Sequence, residues 1–402
     1  MYIKRHLEKE ILSASEGYPV VMVTGSRQVG KTTLLKQLAG DNRAFVSLDD
    51  MSQRLLAQNQ PQLFLQNHTP PLIIDEIQYA PELFTYIKIA VDENNKNGQF
   101  WLTGSQIFPL MQGVQETLAG RVRLLQLSGL SQSELNGTEN LIFPPTIEDL
   151  FKRSKEIKDD EKILTKIIRG GYPRLLTQPA ITVEGFYNSY LQTYIARDVR
   201  EITNVMDTSK FLQFVALLAT RTAQELNLAG LSRDLMIDST TVRRWLNVLE
   251  ISGIVVSLPS FSKNPSRRVV KRPKIYFIDT GLVCQLLGIE DEEGLSNTPL
   301  RGSIFETWVV SEVYKSWWND GRLPRLSYYR DSSQKEIDLM IDRNGKLYPF
   351  GIKINFNAAH AFKNFSVLDS IGVPLGYGGL LHSGDEIVPT RENCWLIPSR
   401  LI

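Results

Sequence analysis

The chain has 402 residues, which is enough for two or three domains that each bury a core. Its 45 basic and 44 acidic side chains leave a net charge of +1, so affinity for nucleic acid can come only from local basic patches. Two cysteines, Cys284 and Cys394, argue against a disulfide framework. No run approaches about 18 apolar residues and the start lacks an apolar signal segment, so we expect a cytoplasmic protein without a membrane span.

The first 145 residues alternate strand candidates with helical stretches. Such alternation predicts an α/β fold in which helices cover both faces of a parallel sheet. We expect residues 1–145 to form one domain around this sheet. The strand candidates are residues 19–24, 44–48, 71–75, 99–103 and 121–127.

A glycine-rich segment follows the first strand candidate. Residues 25–32 read GSRQVGKT, match the pattern G-x-x-x-x-G-K-[ST], and precede a helical stretch. In this pattern backbone N–H groups turn onto phosphates, Lys31 contacts the β- and γ-phosphates, and the Thr32 hydroxyl binds Mg²⁺. The alternative is a surface turn that contains glycines. The predicted ATP-binding residues are Gly25, Ser26, Arg27, Gln28, Val29, Gly30, Lys31, Thr32 and Thr33.

Polar side chains end the third and fourth strand candidates. Asp75 is a predicted Mg²⁺ ligand, and Glu76 beside it is predicted to orient or deprotonate the attacking water. The alternative is an acidic strand end that faces solvent. Thr103 and Ser105 follow the next strand candidate, and either can sense the γ-phosphate, unless this segment is only a strand that ends in a turn.

Phosphoryl transfer also needs positive charge beyond Lys31. Arg121 is the candidate catalytic arginine finger, and the alternative is a solvated surface arginine. Asp49 and Asp50 close the second strand candidate without an assigned role.

Five segments recur in this order in one known family. They are residues 25–33, 48–50, 74–78, 102–105 and 118–121. In them the chain resembles prokaryotic AAA+ ATPases that carry a conserved C-terminal region of unknown function. The resemblance implies a P-loop fold with strand order 5-1-4-3-2, ATP and Mg²⁺ as cofactors, and assembly into a homo-oligomer such as a ring.

Residues 146–206 are predicted to form a helical lid. Gly171 and Pro173 resemble a Gly-x-Pro turn with which signalling ATPases of this superfamily close a lid on the nucleotide, and the alternative is an ordinary turn. Arg197 ends a predicted lid helix and could reach a phosphate from the lid or from a neighbouring subunit. Its alternative is a structural pair with the acid that follows it.

Residues 207–285 are predicted to form a winged helix-turn-helix. Arg243 and Arg244 lie on the exposed face of the presumed recognition helix, where they can contact base edges or phosphates. The following loop has six cations and no acid from 261 to 274, which suits sequence-independent contacts with phosphates. The alternative is contact with an acidic protein. The loop cations are Lys263, Arg267, Arg268, Lys271, Arg272 and Lys274.

Residues 286–402 are predicted to form a second α/β domain. A long amphipathic helix carries Glu306, and the strands after it carry Asp338 and Lys353. This order resembles the PD-(D/E)XK nuclease core of restriction-endonuclease-like domains. The resemblance implies that the acids hold Mg²⁺ and that the lysine supports the attacking water.

One element of that nuclease pattern is missing. Gly351 stands where the pattern has its second carboxylate, and glycine brings no metal ligand. Glu336 lies on the same strand face as Asp338 and could substitute in part. We therefore expect a degenerate nuclease fold that serves binding or contacts between domains.

Together the patterns predict an ATP-binding and ATP-hydrolysing AAA+ switch or motor that engages DNA. One alternative is a nucleotide-gated scaffold that binds a protein and uses slow hydrolysis as a timer. A second alternative is an ATP-dependent nuclease. DNA binding by the basic loop separates the first two functions, and metal-dependent cleavage tests the third.

Overall fold

The computed structural model describes residues 2–104, 117–157, 161–195, 208–262, 272–355 and 362–402. The chain divides into two compact units. The first unit contains Met1–Leu130, Ile251–Gly253 and Trp318–Arg322, and the second contains Ser131–Glu250, Ile254–Trp317 and Leu323–Ile402. The finer division at residues 145, 206 and 285 stays a prediction. Within the described ranges, no helix is both long and apolar enough to cross a bilayer.

The first unit is built on a parallel five-stranded sheet. Its strand order is β2-β3-β4-β1-β5, which confirms the predicted order 5-1-4-3-2. β1, β3 and β4 are buried at every position, because helices cover both faces of a parallel sheet. The elements are α1 (Leu7–Gly17), β1 (Val20–Thr24), α2 (Lys31–Ala39), β2 (Ala44–Ser47), α3 (Met51–Asn59), α4 (Pro61–Asn67), β3 (Leu72–Asp75), α5 (Leu83–Asn94), β4 (Phe100–Gly104) and β5 (Val122–Gln126).

The parallel arrangement decides where the functional residues lie. The carboxyl ends of β1, β3 and β4 meet at one edge of the sheet, and ligands of open α/β sheets bind at that edge. The segment 25–30 leaves β1 there, and Asp75 and Thr103 lie at the corresponding ends of β3 and β4. A short 3₁₀ turn, Ile77–Tyr79, follows β3.

The second unit begins with short helices and a small antiparallel sheet. Three of its helices, α11 to α13, precede a hairpin of β7 and β8, and β6 pairs with the outer side of β8. The Asp238 carboxylate accepts a hydrogen bond from the Thr241 N–H and so caps the amino-terminal end of α13. The elements are α6 (Gln132–Leu135), α7 (Ile147–Glu156), α8 (Ile163–Arg169), α9 (Pro173–Thr177), α10 (Val183–Tyr190), a π-helical turn (Leu191–Ile195), α11 (Thr208–Ala219), β6 (Gln224–Glu225), α12 (Leu228–Leu235), α13 (Ser239–Ile251), β7 (Val255–Leu258), β8 (Lys274–Phe277), α14 (Thr280–Leu286) and α15 (Glu292–Asn297).

The remainder of the second unit is a mixed six-stranded sheet with one long helix. The strand order is β13-β14-β12-β11-β10-β9; β9 to β11 run antiparallel, whereas β11, β12 and β14 run parallel. The predicted long helix that carries Glu306 and the predicted strands that carry Asp338 and Lys353 are present. The elements are α16 (Arg301–Trp318), β9 (Leu326–Arg330), β10 (Glu336–Arg343), β11 (Lys346–Lys353), a 3₁₀ helix (Lys363–Ser370), β12 (Gly378–His382), β13 (Val388–Arg391), β14 (Cys394–Pro398) and a 3₁₀ turn (Ser399–Leu401).

Candidate functional site

The glycine-rich loop connects β1 to α2 in the first unit. Gly25 has a φ of +146°, and a Cβ atom there would lie 2.0 Å from the Leu127 carbonyl oxygen, so only glycine fits. Gly30 has a φ of +96° and stands at the amino-terminal end of α2. The loop therefore ends at a helix N-terminus, where unpaired N–H groups favour an anion.

Lys31 lies inside the concave side of this loop. Its side chain is 6% exposed, and the ammonium donates to the carbonyl oxygens of Gly25 at 2.9 Å and Ser26 at 3.0 Å. The ammonium is thereby held within the loop that is expected to surround the phosphates. A phosphate oxygen would take the place of these carbonyl acceptors.

Asp75 is a buried carboxylate at the end of β3. Its Oδ1 accepts hydrogen bonds from the hydroxyl groups of Thr32 at 2.7 Å and Thr103 at 2.6 Å, and its Oδ2 accepts from Ser47 at 3.3 Å. Mg²⁺ prefers carboxylate and hydroxyl oxygens and keeps several waters. The Thr32 hydroxyl and Asp75 carboxylate fit a partly hydrated Mg²⁺ ion at this edge of the sheet.

Glu76 follows in a left-handed backbone conformation with a φ of +57°. Its N–H donates to the Thr103 hydroxyl oxygen at 3.0 Å, and its carboxylate accepts from the Gln78 side-chain amide. Left-handed conformations are uncommon for a residue other than glycine and often mark functional positions. The sequence patterns did not predict Gln78 as a site residue, although it follows Glu76 by only two residues.

Asp49 is a third acid near this edge. Partial burial raises the pKa of Asp49, and the negative charges of Glu76 and Asp75 raise it further. Asp50 instead caps α3 by accepting from the backbone N–H groups of Ser52 and Gln53. Asp49 therefore adds negative charge near a cation site, whereas Asp50 has a structural role. Across the described residues, no group of three or more His, Cys, Asp or Glu side chains is arranged to bind a metal by itself.

Arg5 holds the glycine-rich loop in place through its side chain, a role that no local sequence pattern indicates. Its side chain is 3% exposed, and its guanidinium donates to the carbonyl oxygens of Val29 at 2.9 Å and Ser128 at 2.8 Å. It thus ties the glycine-rich loop to the segment that follows β5. The distance along the chain from Arg5 to both partners hid this relationship.

Arg121 does not belong to the nucleotide site of its own chain. It precedes β5, and its carbonyl oxygen pairs with the N–H of Val20 at the amino-terminal end of β1. The phosphate loop leaves the opposite end of β1, about 16 Å away at the usual rise per strand residue. The Arg121 guanidinium instead makes two hydrogen bonds with Asp92, at 2.6 and 3.0 Å. Arg121 therefore lies away from the phosphate loop of its own chain, and its role as an arginine finger stays a prediction.

The predicted lid turn lies in the second unit. Asp279 Oδ2 accepts from the Gly171 N–H at 2.8 Å, and Asp279 Oδ1 accepts from the Tyr187 hydroxyl at 2.6 Å. Pro173 begins α9, where the lack of an N–H costs no hydrogen bond. These contacts give the turn a structural role, and a contact of Pro173 with nucleotide stays a prediction.

The candidate DNA-binding cations have different environments. Arg243 and Arg244 are exposed on α13, and Arg272 is exposed just before β8. Lys274 was counted with the basic loop, but it is buried and paired with acids, so it is not available to phosphates. The predicted residues outside the described ranges are Ser105, Arg197, Lys263, Arg267, Arg268 and Lys271.

The acids and lysine of the nuclease-like pattern come together in the second unit. Lys353 Nζ lies 3.0 Å from Asp338 Oδ2, and Lys274 Nζ lies 2.9 Å from Glu306 Oε1. Glu336, considered above as a substitute ligand, lies 2.7 Å from the same Lys274 ammonium. Burial raises the pKa of Glu306 to about 7, and Lys274 opposes this rise.

Three family descriptions match this chain. Residues 17–136 match the family described as AAA domain, residues 160–293 match a domain of unknown function (DUF8612), and residues 301–402 match a domain of unknown function (DUF4143). The AAA match contains the glycine-rich loop and the acids at the end of β3.

The chain is 28% identical over 385 residues to uncharacterized protein Rv2008c of Mycobacterium tuberculosis, which covers 95% of this chain and 80% of that protein. The same values apply to uncharacterized protein Mb2031c of Mycobacterium bovis.

Among solved structures, the Walker-type ATPase PABY2304 of Pyrococcus abyssi has a TM-score of 0.44 at 16% identity, covering 71% of this chain and 96% of that chain. The Thermotoga maritima RuvB Holliday junction branch migration motor has a TM-score of 0.30 at 17% identity, covering 67% and 90%. By the family match and the sheet order, residues 17–136 belong to the AAA-type P-loop ATPases, and residues 301–402 form a DUF4143 domain.

Proposed function

We propose that the first unit binds ATP with Mg²⁺ and hydrolyses it. The observation that carries the proposal is the 2.7 Å hydrogen bond between Thr32 and Asp75, because it joins the phosphate loop to the acid of β3. When bound there, Mg²⁺ would supply positive charge against the negative charge that develops during hydrolysis. Thr32 and Asp75 are the residues that would hold it.

The other residues have separate tasks. The Lys31 ammonium stabilises the β- and γ-phosphates, and the loop from Gly25 to Thr33 surrounds them with backbone N–H groups. Glu76 accepts the proton of the attacking water or orients it. Thr103 holds Asp75 and the Glu76 backbone in register, since its hydroxyl contacts both.

Two variants test this assignment. Lys31→Ala should lose tight binding of a fluorescent ATP analogue, whereas Glu76→Gln should bind it as the parent does and release little phosphate. Glu76→Gln with the parent hydrolysis rate would refute the role of Glu76. Lys36→Ala, an exchange at an exposed lysine later in the same helix, is the matched control and should change neither result.

The chain needs a further arginine for efficient hydrolysis, and we propose that Arg121 of a neighbouring copy supplies it in a homo-oligomer. Arg121 is a third exposed and lies at the opposite edge of its own sheet from the phosphate loop. An arginine at that edge can reach a second copy's nucleotide without moving far. Arg197 and Ser105 stay candidates for additional contacts.

We further propose that ATP state controls binding of DNA by the second unit. Arg243 and Arg244 lie side by side on the exposed face of α13, while Val242 and Trp245 of the same helix are buried. A helix with a buried apolar face and an exposed basic face, followed by a hairpin, suits a winged helix that contacts a duplex. The alternative partner is an acidic protein surface.

DNA binding is tested by salt dependence. Arg243→Ala with Arg244→Ala should weaken duplex binding and lower the slope of log K against log salt by about 2. Lys152→Ala with Lys155→Ala removes the same charge from exposed positions of α7 and should leave binding unchanged. If the α13 variant binds duplex as the parent does, the result contradicts DNA binding through α13. It then favours the alternative function, a scaffold that binds an acidic protein.

A further inference from the structure

We propose that the carboxylates of Glu306 and Glu336, with Asp338 beside them, form a cation site whose occupant is the ammonium group of Lys274. This acid cluster then binds a side chain of its own chain rather than a divalent ion. This goes beyond the proposed ATPase function and concerns a different part of the molecule.

Lys274 makes the contacts expected of a site-bound cation. Its side chain is 3% exposed, and its ammonium lies 2.7 Å from Glu336 Oε1 and 2.9 Å from Glu306 Oε1. The Tyr276 hydroxyl, two residues along β8, donates to the same Glu306 oxygen at 2.7 Å. A buried ammonium is retained only when acids compensate its lost hydration.

Glu306 and Glu336 reach this ammonium from two elements. Glu306 extends from α16, whereas Glu336 and Asp338 lie on one face of β10 because strand side chains alternate. The charges of all three acids raise the pKa of Lys274 against the opposing effect of burial. The acids therefore favour the protonated form of this ammonium.

Asp338 also has two partners on β11. Its Oδ2 accepts from the Ile352 N–H at 2.7 Å and from the Lys353 ammonium at 3.0 Å. The oxygen that a metal would need is thus already shared between two donors. A divalent ion would have to displace Lys353 as well as Lys274.

Gly351 explains why this site can hold the Lys274 ammonium instead of a divalent ion. A Cβ at residue 351 would lie 3.9 Å from Asp338 Oδ2 and 3.1 Å from Leu380 Cδ1, so a side chain there would point toward the acid cluster. Without a carboxylate at 351, the cluster has too few acids to hold a divalent ion against an internal lysine. Lys274 also joins β8 to α16, so the site serves as a contact within the second unit.

The experiment measures thermal unfolding of the full chain without nucleotide, with and without Mn²⁺. Mn²⁺ should not change the melting temperature of the parent in any way that Asp338→Asn abolishes. Lys274→Gln should lower the melting temperature by about 5 °C, because it leaves acids buried without their cation. Mn²⁺ should restore much of that loss, and adding Asp338→Asn should abolish the restoration. Lys353→Gln, at a half-exposed lysine of the same cluster, is the matched control and should gain no Mn²⁺ response.

A second comparison tests the proposal even if Lys274→Gln fails to fold. Above pH 7, where Glu306 is charged, Lys274→Met with Glu306→Gln removes one positive and one negative charge, and it should be more stable than Lys274→Met alone. Equal instability of the two variants would overturn the proposal, since the ammonium would then not compensate the acids. Mn²⁺ binding by the parent that Asp338→Asn abolishes would also overturn it, because a metal would displace Lys274.

Discussion

The hydroxyl group of Thr103 donates a hydrogen bond to the carboxylate of Asp75, with 2.6 Å between Oγ1 and Oδ1. The same hydroxyl oxygen accepts the Glu76 N–H at 3.0 Å. One side chain at the end of β4 thus contacts both acids at the end of β3. Thr32 donates to the same oxygen of Asp75, so the hydroxyls from α2 and β4 converge on one acid.

Thr103→Val should slow ATP hydrolysis more than it weakens ATP binding. Valine keeps the branched shape but removes the hydroxyl that fixes Asp75 and the Glu76 backbone. A hydrogen bond to a charged group contributes about 1.5–3 kcal/mol, so we expect kcat to fall roughly 10- to 100-fold. Phosphate release and analogue binding are measured on the same preparation.

Thr103→Ser is the matched control because it keeps the hydroxyl. It should retain most of the hydrolysis rate. An unchanged kcat in Thr103→Val would show that Asp75 and Glu76 hold their positions without Thr103.

Arg5→Leu should weaken nucleotide binding although Arg5 is not expected to touch the nucleotide. The substitution leaves the carbonyl oxygens of Val29 and Ser128 without their guanidinium donor in a buried place. Losing such donors costs about 1–3 kcal/mol each, so we expect the dissociation constant to rise at least tenfold and the first unit to unfold more easily. Equilibrium titration with an ATP analogue and urea unfolding measure the two effects.

Arg5→Lys separates charge from geometry. A lysine keeps the positive charge but cannot donate from two rigidly spaced nitrogens to both carbonyls. We expect an intermediate loss of affinity. Full affinity in Arg5→Leu would contradict the view that Arg5 positions the loop.

Local patterns were sufficient for the nucleotide site. The strand before Gly25, the helix after Thr32 and the acids at Asp75 and Glu76 each follow from short-range sequence, and the parallel sheet brings their ends together. Arg5 and Ser128 are 123 residues apart, so no local pattern could join them. Such contacts arise from tertiary packing alone.

The same distinction accounts for the misplaced cations. Lys274 follows five other cations in the sequence of the basic loop, and the sequence therefore predicted that it contacts phosphates. Its position inside β8 buries it against Glu306, which is 32 residues away in the chain. Arg121 looked like a finger from its neighbours in sequence, but the direction of β5 places it at the far edge of the sheet.

Glu306 should make the stability of the second unit depend on pH. Its pKa in the folded chain is about 7, above its ordinary value of 4.5, because burial disfavours the charged carboxylate. Between these values the folded state binds more protons than the unfolded state, so the stability that Glu306 contributes is fully present below about pH 4.5 and is lost as pH rises toward 7. We expect Glu306 to account for a decline on the order of 2 kcal/mol over that range.

Glu306→Gln isolates this contribution, because glutamine resembles the protonated acid at every pH. Urea unfolding of both proteins at pH 5, 6 and 7 gives the difference in stability at each pH. The advantage of the parent over the variant should shrink as pH rises. A difference that grows instead would mean that Lys274 keeps Glu306 charged throughout.

Arg121 should act on the nucleotide of a neighbouring copy. Arg121→Ala should therefore bind ATP as the parent does and hydrolyse it slowly, because the phosphate loop of each copy is intact but its neighbour lacks the arginine. Lys31→Ala has the complementary defect. Mixing the two inactive variants should restore part of the activity, since a Lys31→Ala copy can present Arg121 to an intact loop.

Mixing Lys31→Ala with Glu76→Gln should restore none. Asp92→Asn, which frees Arg121 without removing it, should keep its activity. Full hydrolysis by Arg121→Ala alone would assign Arg121 to its local pair with Asp92. A mixture of Arg121→Ala and Lys31→Ala that stays inactive would contradict action on a neighbouring copy.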